Sequence, residues 1–277
     1  GRNALTDGDP RISDGTGSAG LRGFVRGNRR KGARSQAGKG LTTHARQALI
    51  PPLRLEAVRV FFRYPVSPEI QAWILANFEW AICQGLLTRD TPLVTLDKAF
   101  FTAPPGRGPE TAAGLLADFQ RILHIPEAQI DLLPIDRLPS EYRHDPTTAT
   151  ELGGTWQGFG NSALIRYAPE DMVHRPITFL ATLGHEVMHH VLHSLPELPP
   201  GGPDLEEHAT DLHCVTMGLG LLQLGGAEQA GWQGYLSQPT RAHALALFMA
   251  LQNIPEAAVA GKLPPRAARI LARARQN

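Results

Sequence analysis

The spacing of apolar positions changes several times along the chain, and each change predicts an element. Residues 58–64 (VRVFFRY), 93–96, 130–135 and 163–167 are short, β-rich runs, so short strands are expected there. Between them the period lengthens to that of a helix. Ser67 before Pro68 and Glu69 is a helix start, and Ile70, Ile74, Phe78 and Ile82 carry one apolar face to about Leu87. Pro109 and Glu110 open a second helix, with Leu115, Leu116, Phe119 and Leu123 on one side. Beyond Pro176 almost everything reads as helix. Breaks are expected in the loop 196–203, at Gly225–Gly226, and near Pro255 and Pro264, with a helix opening near Pro239 and Thr240. The pattern predicts an α+β chain, in which an α/β part (51–160) contributes a small mixed sheet that covers a mainly helical part (161–277).

Composition adds a boundary near residue 50. The first forty positions hold ten glycines and few large apolar groups, too little to offset the entropy of ordering, so residues 1–50 are expected to be a disordered basic tail. Residues 1–47 contain ten Lys/Arg against three Asp/Glu, whereas the whole chain carries a formal net charge of only +1. The tail is therefore basic and the body mildly acidic. Nucleic acid is not expected as a partner except through the basic segment 22–39, where Arg26, Arg29, Arg30, Lys31 and Arg34 carry charge without a nucleic-acid motif. Two cysteines, Cys83 and Cys214, make no disulfide framework and are expected as reduced, buried thiols. No run approaches the roughly 18 apolar residues of a membrane helix, and no apolar segment follows the N-terminal charges. The expectation is a cytoplasmic protein without membrane contact.

The chemistry is concentrated in residues 177–195 (ITFLATLGHEVMHHVLHSL). At about 100° per residue, Leu180, Leu183, Val187, Met188 and Val191 share one face, while His185, Glu186 and His189 fall on the other. Positions i and i+4 project side by side, so His185 and His189 can direct two nitrogens at one Zn²⁺. Glu186 points further round, where it can reach a water on the metal and act as general base. Catalytic zinc takes three protein ligands and keeps one position open. The next helical stretch, 205–220 (LEEHATDLHCVTMGLG), places Glu207 and Asp211 at i and i+4. Glu207 can complete the coordination, and Asp211 can accept the outer N–H of a ligand histidine. His208 is the rival third ligand, and Asp204 a more distant one. Cys214 and Gly218 lie on the same face, where small side chains would let this helix approach the first.

His185-Glu186-Val187-Met188-His189 followed by Glu207-His208-Ala209-Thr210-Asp211 resembles the gluzincin pattern, HExxH plus ExxxD. The short separation is similar to that of minimal gluzincins and CAAX-prenyl-protease-like peptidases. The run 210–220 also resembles uncharacterised bacterial HExxH proteins. Leu192 and Leu195 stand where metzincins carry Gly and His, and the membrane helices of the prenyl-protease-like enzymes are missing. The resemblance implies a zincin-like fold, a Zn²⁺ cofactor and a peptide or protein substrate. It also implies an edge strand before the zinc helix, and residues 160–165 sit where that strand would be. Tyr235, Arg241 and His243 are the candidates for stabilising a transition state. The expected function is a zinc metallopeptidase; the alternative is a zinc-binding regulatory or peptide-binding module with little turnover.

Overall fold

The computed structural model describes residues 66–135, 154–159, 162–231 and 234–275, so the basic tail and the strand expected at 58–64 lie outside it. Helix α1 (Pro68–Cys83) starts where the sequence places it, with the Ser67 hydroxyl accepting from the Ile70 amide at 3.4 Å. Its buried stripe is Ile74, Asn77, Phe78 and Ala81, whereas Ile70 is 40% exposed because the core begins one turn later. Helix α2 (Pro109–Ile122) buries Leu116 and Phe119.

The sheet has three strands, β1 (Gln129–Pro134), β2 (Gly154–Phe159) and β3 (Ser162–Tyr167), in the order β1-β3-β2. β1 runs parallel to β3 and β2 antiparallel to it, so the sheet is mixed. β3 alternates burial at Ala163, Ile165 and Tyr167, as a central strand over a core should. The edge strand expected at 160–165 is therefore a correction, because the residues of that segment from Ser162 onward build the central strand. Among the described residues β1 and β2 are the edges, and β2 is the one packed on the helix Pro176–His193. The strand expected at 93–96 is also absent from the sheet; it is extended, and the Val94 amide donates to the Gly218 carbonyl at 3.0 Å.

The helical part comprises α3 (Pro169–His174), α4 (Pro176–His193), α5 (Glu206–Cys214), α6 (Gly220–Gln229), α7 (Gln238–Leu251) and α8 (Pro265–Arg275). α4 is the axis, buried nearly all round and packed by α2, α3, α5, α6 and the sheet. A wide turn, Val215–Leu219, separates α5 from α6. It depends on Gly218, which has φ 88° and where a Cβ would lie 2.0 Å from the Pro92 carbonyl oxygen. Gly218 thus admits the 92–94 segment and does not serve the α4–α5 approach expected of it. Cys214 does meet α4, its thiol 3.7 Å from the Gly184 carbonyl. Cys83, expected buried, is exposed.

The break expected at Gly225–Gly226 does not occur, and α6 runs through both. A Cβ on Gly226 would lie 2.5 Å from that of Ala181, so the glycine is there for close packing of α6 on α4. Breaks near Pro255 and Pro264 are found as expected, after α7 and before α8. One apolar cluster joins α1, α7 and α8, a second joins α2, the sheet and α4, and the α5–α6 segment contributes to both. Among the described residues no helix is long and apolar enough to cross a membrane.

Candidate metal centre

α4 brings His185 and His189 onto one face, and the first turn of α5 crosses it with Glu207. The Nε2 atoms of the two histidines are 3.1 Å apart, and Glu207 Oε2 lies 3.1 Å from one and 3.3 Å from the other. Three potential ligand atoms therefore converge on a point. This group could hold a metal ion. Neither His208 nor Asp204 joins it: His208 packs against the ring of Tyr235, and Asp204 lies in the exposed turn before α5.

The outer nitrogens explain why the inner ones are available. His185 Nδ1 donates to Asp211 Oδ1 at 2.9 Å. His189 Nδ1 lies 3.4 Å from the Thr210 hydroxyl, which itself donates to the Glu206 carbonyl at 2.9 Å and so can accept. Both rings are held with Nε2 facing the cluster. Two nitrogen lone pairs and a carboxylate oxygen at this spacing repel one another unless a proton or a metal ion lies among them. In the metal-free protein a proton fills the role. Burial opposes a charge on His185, but the Asp211 and Glu207 carboxylates outweigh it and raise the pKa to about 10. Burial and the charged His185 push its neighbour His189 down to about 4.

Asp211 is the hub behind the cluster. Its Oδ2 accepts from Arg241 Nη2 at 2.6 Å and from the amides of Tyr235 and Leu236 at 2.9 and 3.0 Å. Burial opposes its charge, yet the His185 hydrogen bond and the Arg241 guanidinium hold the carboxyl well below the usual range. Arg241, only 2% exposed, also donates to the Leu236 carbonyl and is thereby committed to positioning Asp211 and the 234–236 turn. Gly234, at φ 100°, is required there, because a Cβ would collide with Arg241 Nη2.

The turn sets Tyr235 against the cluster. Its ring stacks on His185 with centroids 5.9 Å apart. Burial, with the surrounding carboxylates, raises the phenol pKa. Half exposed, Tyr235 lines the cleft. His243 is placed elsewhere: it is buried in α7, is held neutral by that burial at a pKa of about 4, and does not line the cleft.

Glu186 lies beside the cluster, 7% exposed. Burial raises its carboxyl, the His185 charge opposes this, Glu207 adds to it, and the pKa settles at about 7. The start of β2 passes directly over it. A Cβ on Gly154 would be 3.0 Å from Glu186 Oε1, so glycine is what lets the strand cross the carboxylate.

β2 also supplies Trp156, whose ring stacks on His189 at 5.7 Å between centroids. Neither Gly154 nor Trp156 was marked by the sequence, whose one available signal was a tryptophan in a glycine-bounded run. The whole opens into a cleft of about 1040 Å³ between β2, α4, α6 and the 234–236 turn. No family model, curated protein or solved structure matches the chain, so the functional reading stands on this geometry.

Proposed function

We propose that the chain is a zinc-dependent peptidase with a zincin-like, gluzincin-type centre. The observation that carries the reading is the donor triangle of His185, His189 and Glu207. Donors about 2.0–2.1 Å from a tetrahedral zinc lie roughly 3.3–3.4 Å apart. The separations of 3.1, 3.1 and 3.3 Å match that edge closely. Two imidazoles and one carboxylate are the donor set of a catalytic zinc site with a position left for water. When bound there, zinc polarises the scissile carbonyl and lowers the pKa of water towards about 7.

The residues around the triangle supply the rest. Glu186, buried beside the triangle, takes the proton of the attacking water and delivers it to the leaving amine nitrogen. Asp211 keeps His185 in the tautomer that presents Nε2, and Arg241 keeps Asp211 ionised and in place. Tyr235 offers a hydroxyl to the oxygen that gains charge as the carbonyl becomes tetrahedral. Among the described residues β2 has a strand neighbour on one side only, and its other edge would pair with an extended peptide running through the cleft.

Glu186→Gln is the sharpest test. The variant should retain metal and lose about 10²–10⁴-fold in peptide hydrolysis, read with a fluorogenic peptide library beside elemental analysis. Wild-type turnover in that variant would overturn the mechanism. Metal retention with no cleavage by the wild type would instead favour a binding module.

A further inference from the structure

The last turn of α4 carries a second convergence of donors outside the triangle. His193 follows His189 by one turn, and Glu206 of α5 reaches back towards both. Glu206 Oε1 is 3.5 Å from His193 Nε2 and 3.7 Å from His189 Nδ1. His189, His193 and Glu206 lie close enough together to hold a metal ion, and with His189 Nδ1 engaged by Thr210 the open donors are His193 Nε2 and Glu206 Oε1.

Three features favour a cation there. His193 Nδ1 faces the His189 carbonyl at 3.0 Å, and a carbonyl only accepts, so Nδ1 is the donor in that bond. That bond turns Nε2 towards the Glu206 carboxylate, so a nitrogen and an oxygen converge with room for an ion between them. The locus also lies at the C-terminus of an 18-residue helix, the negative end of its dipole. Finally, Glu186, Glu206, Glu207 and Asp211 line the cleft against a single guanidinium, Arg241, which Asp211 already holds. One divalent ion in the inner triangle leaves the cleft still net acidic.

We propose that His193 and Glu206 form a second, weaker site for a divalent transition ion, filled when zinc is in excess. His189 Nδ1 stays with Thr210 and the inner triangle, so the outer ion has two protein donors and completes its shell with water. Both donors are 42% exposed, which makes the site reachable and its ion exchangeable. Trp156 roofs it, with its ring centroid 4.3 Å from that of His193. An ion held there sits beneath β2, in the path of a peptide paired to that edge. Excess zinc then inhibits the activity proposed above, and that consequence alone rests on the peptidase reading.

Equilibrium dialysis of the full chain against Zn²⁺ tests the site without any activity measurement. Wild type should take up two equivalents, one of which leaves on dialysis against metal-free buffer. His193→Ala and Glu206→Gln should each lose the weaker equivalent and keep the tighter one. Cu²⁺ should quench tryptophan fluorescence in a second, weaker phase that Trp156→Phe removes. Glu207→Gln should lose the tighter equivalent and keep the weaker, so failure of the inner site is distinguishable from failure of the outer one. A single equivalent in wild type, or two in His193→Ala, would reduce the cluster to an ion pair between protonated His193 and Glu206 and overturn the proposal.

Discussion

Helix α5 holds two buried polar constellations only two residues apart, and they are built on opposite principles. Asp211 faces α4 and the cleft, while His213 faces α1 and the sealed side of the helices. His213 is completely buried, with Nε2 donating to Asn77 Oδ1 at 3.1 Å and Nδ1 3.2 Å from the Thr216 hydroxyl. Asn77 in turn gives its amide hydrogens to the Trp73 and Pro200 carbonyls. Every partner is neutral, and burial holds the imidazole at a pKa of about 3. His185 meets two carboxylates instead and is raised to about 10. A buried histidine matched by neutral groups is complete in itself. A buried histidine surrounded by surplus negative charge and a second imidazole is an arrangement that calls for a cation.

The contrast can be broken from either side. The largest effect belongs to Asp211→Ala, which strands Arg241 as a buried charge and frees two amides. Thermal or urea unfolding should show a loss of about 3–5 kcal/mol. In whatever protein remains folded, metal affinity should fall roughly 10–100-fold, because His185 loses its orienting acceptor. His213→Ala should cost less, about 1–3 kcal/mol for the acceptor left unpaired on Asn77, and metal content should not change. A loss of metal in that variant would show that the two constellations are coupled through α5.

The contrast also shows in pH dependence, whose sign differs between the two histidines. The folded pKa of His185 lies above the ordinary histidine value of 6.5, so its contribution to the metal-free protein is complete below pH 6.5. It is lost as pH rises through about 10. The folded pKa of His213, about 3, lies below 6.5, so its contribution is complete above pH 6.5 and is lost as pH falls towards 3. Urea titrations should therefore show an alkaline decline of up to about 1.4 kcal/mol per pH unit in metal-free protein. Zinc should abolish it by displacing the His185 Nε2 proton, and leave the acidic arm of His213 intact. An alkaline decline that persists with zinc bound would remove His185 from the triangle.

Much of the centre was legible because helical spacing carries it. Positions i and i+4 bring His185 to His189 and Glu207 to Asp211 whatever surrounds them, and the reason for each residue type is local chemistry. What lay hidden depends on contacts between distant segments. β2, with the sequence GTWQGF, has no apolar alternation, because an edge strand over a cleft buries little on either face. The more regular β3 therefore drew the edge-strand assignment and proved to be central. Arg241 was read as a candidate for the transition state because nothing in its own neighbourhood shows that Asp211, thirty residues earlier, holds it. Glycine was ambiguous for the same reason. At Gly218 it turns the chain, and at Gly226 it lets α6 continue against Ala181. Only the packing partner tells the two uses apart.

The central claim is that His185, His189 and Glu207 hold zinc. Elemental analysis after exhaustive dialysis, comparing the full chain with Glu207→Ala, tests it most directly. The account predicts about one tightly held zinc per chain in the wild type and a clear loss in the variant. A wild type that retains no zinc, or a Glu207→Ala protein that keeps a full equivalent, would contradict it.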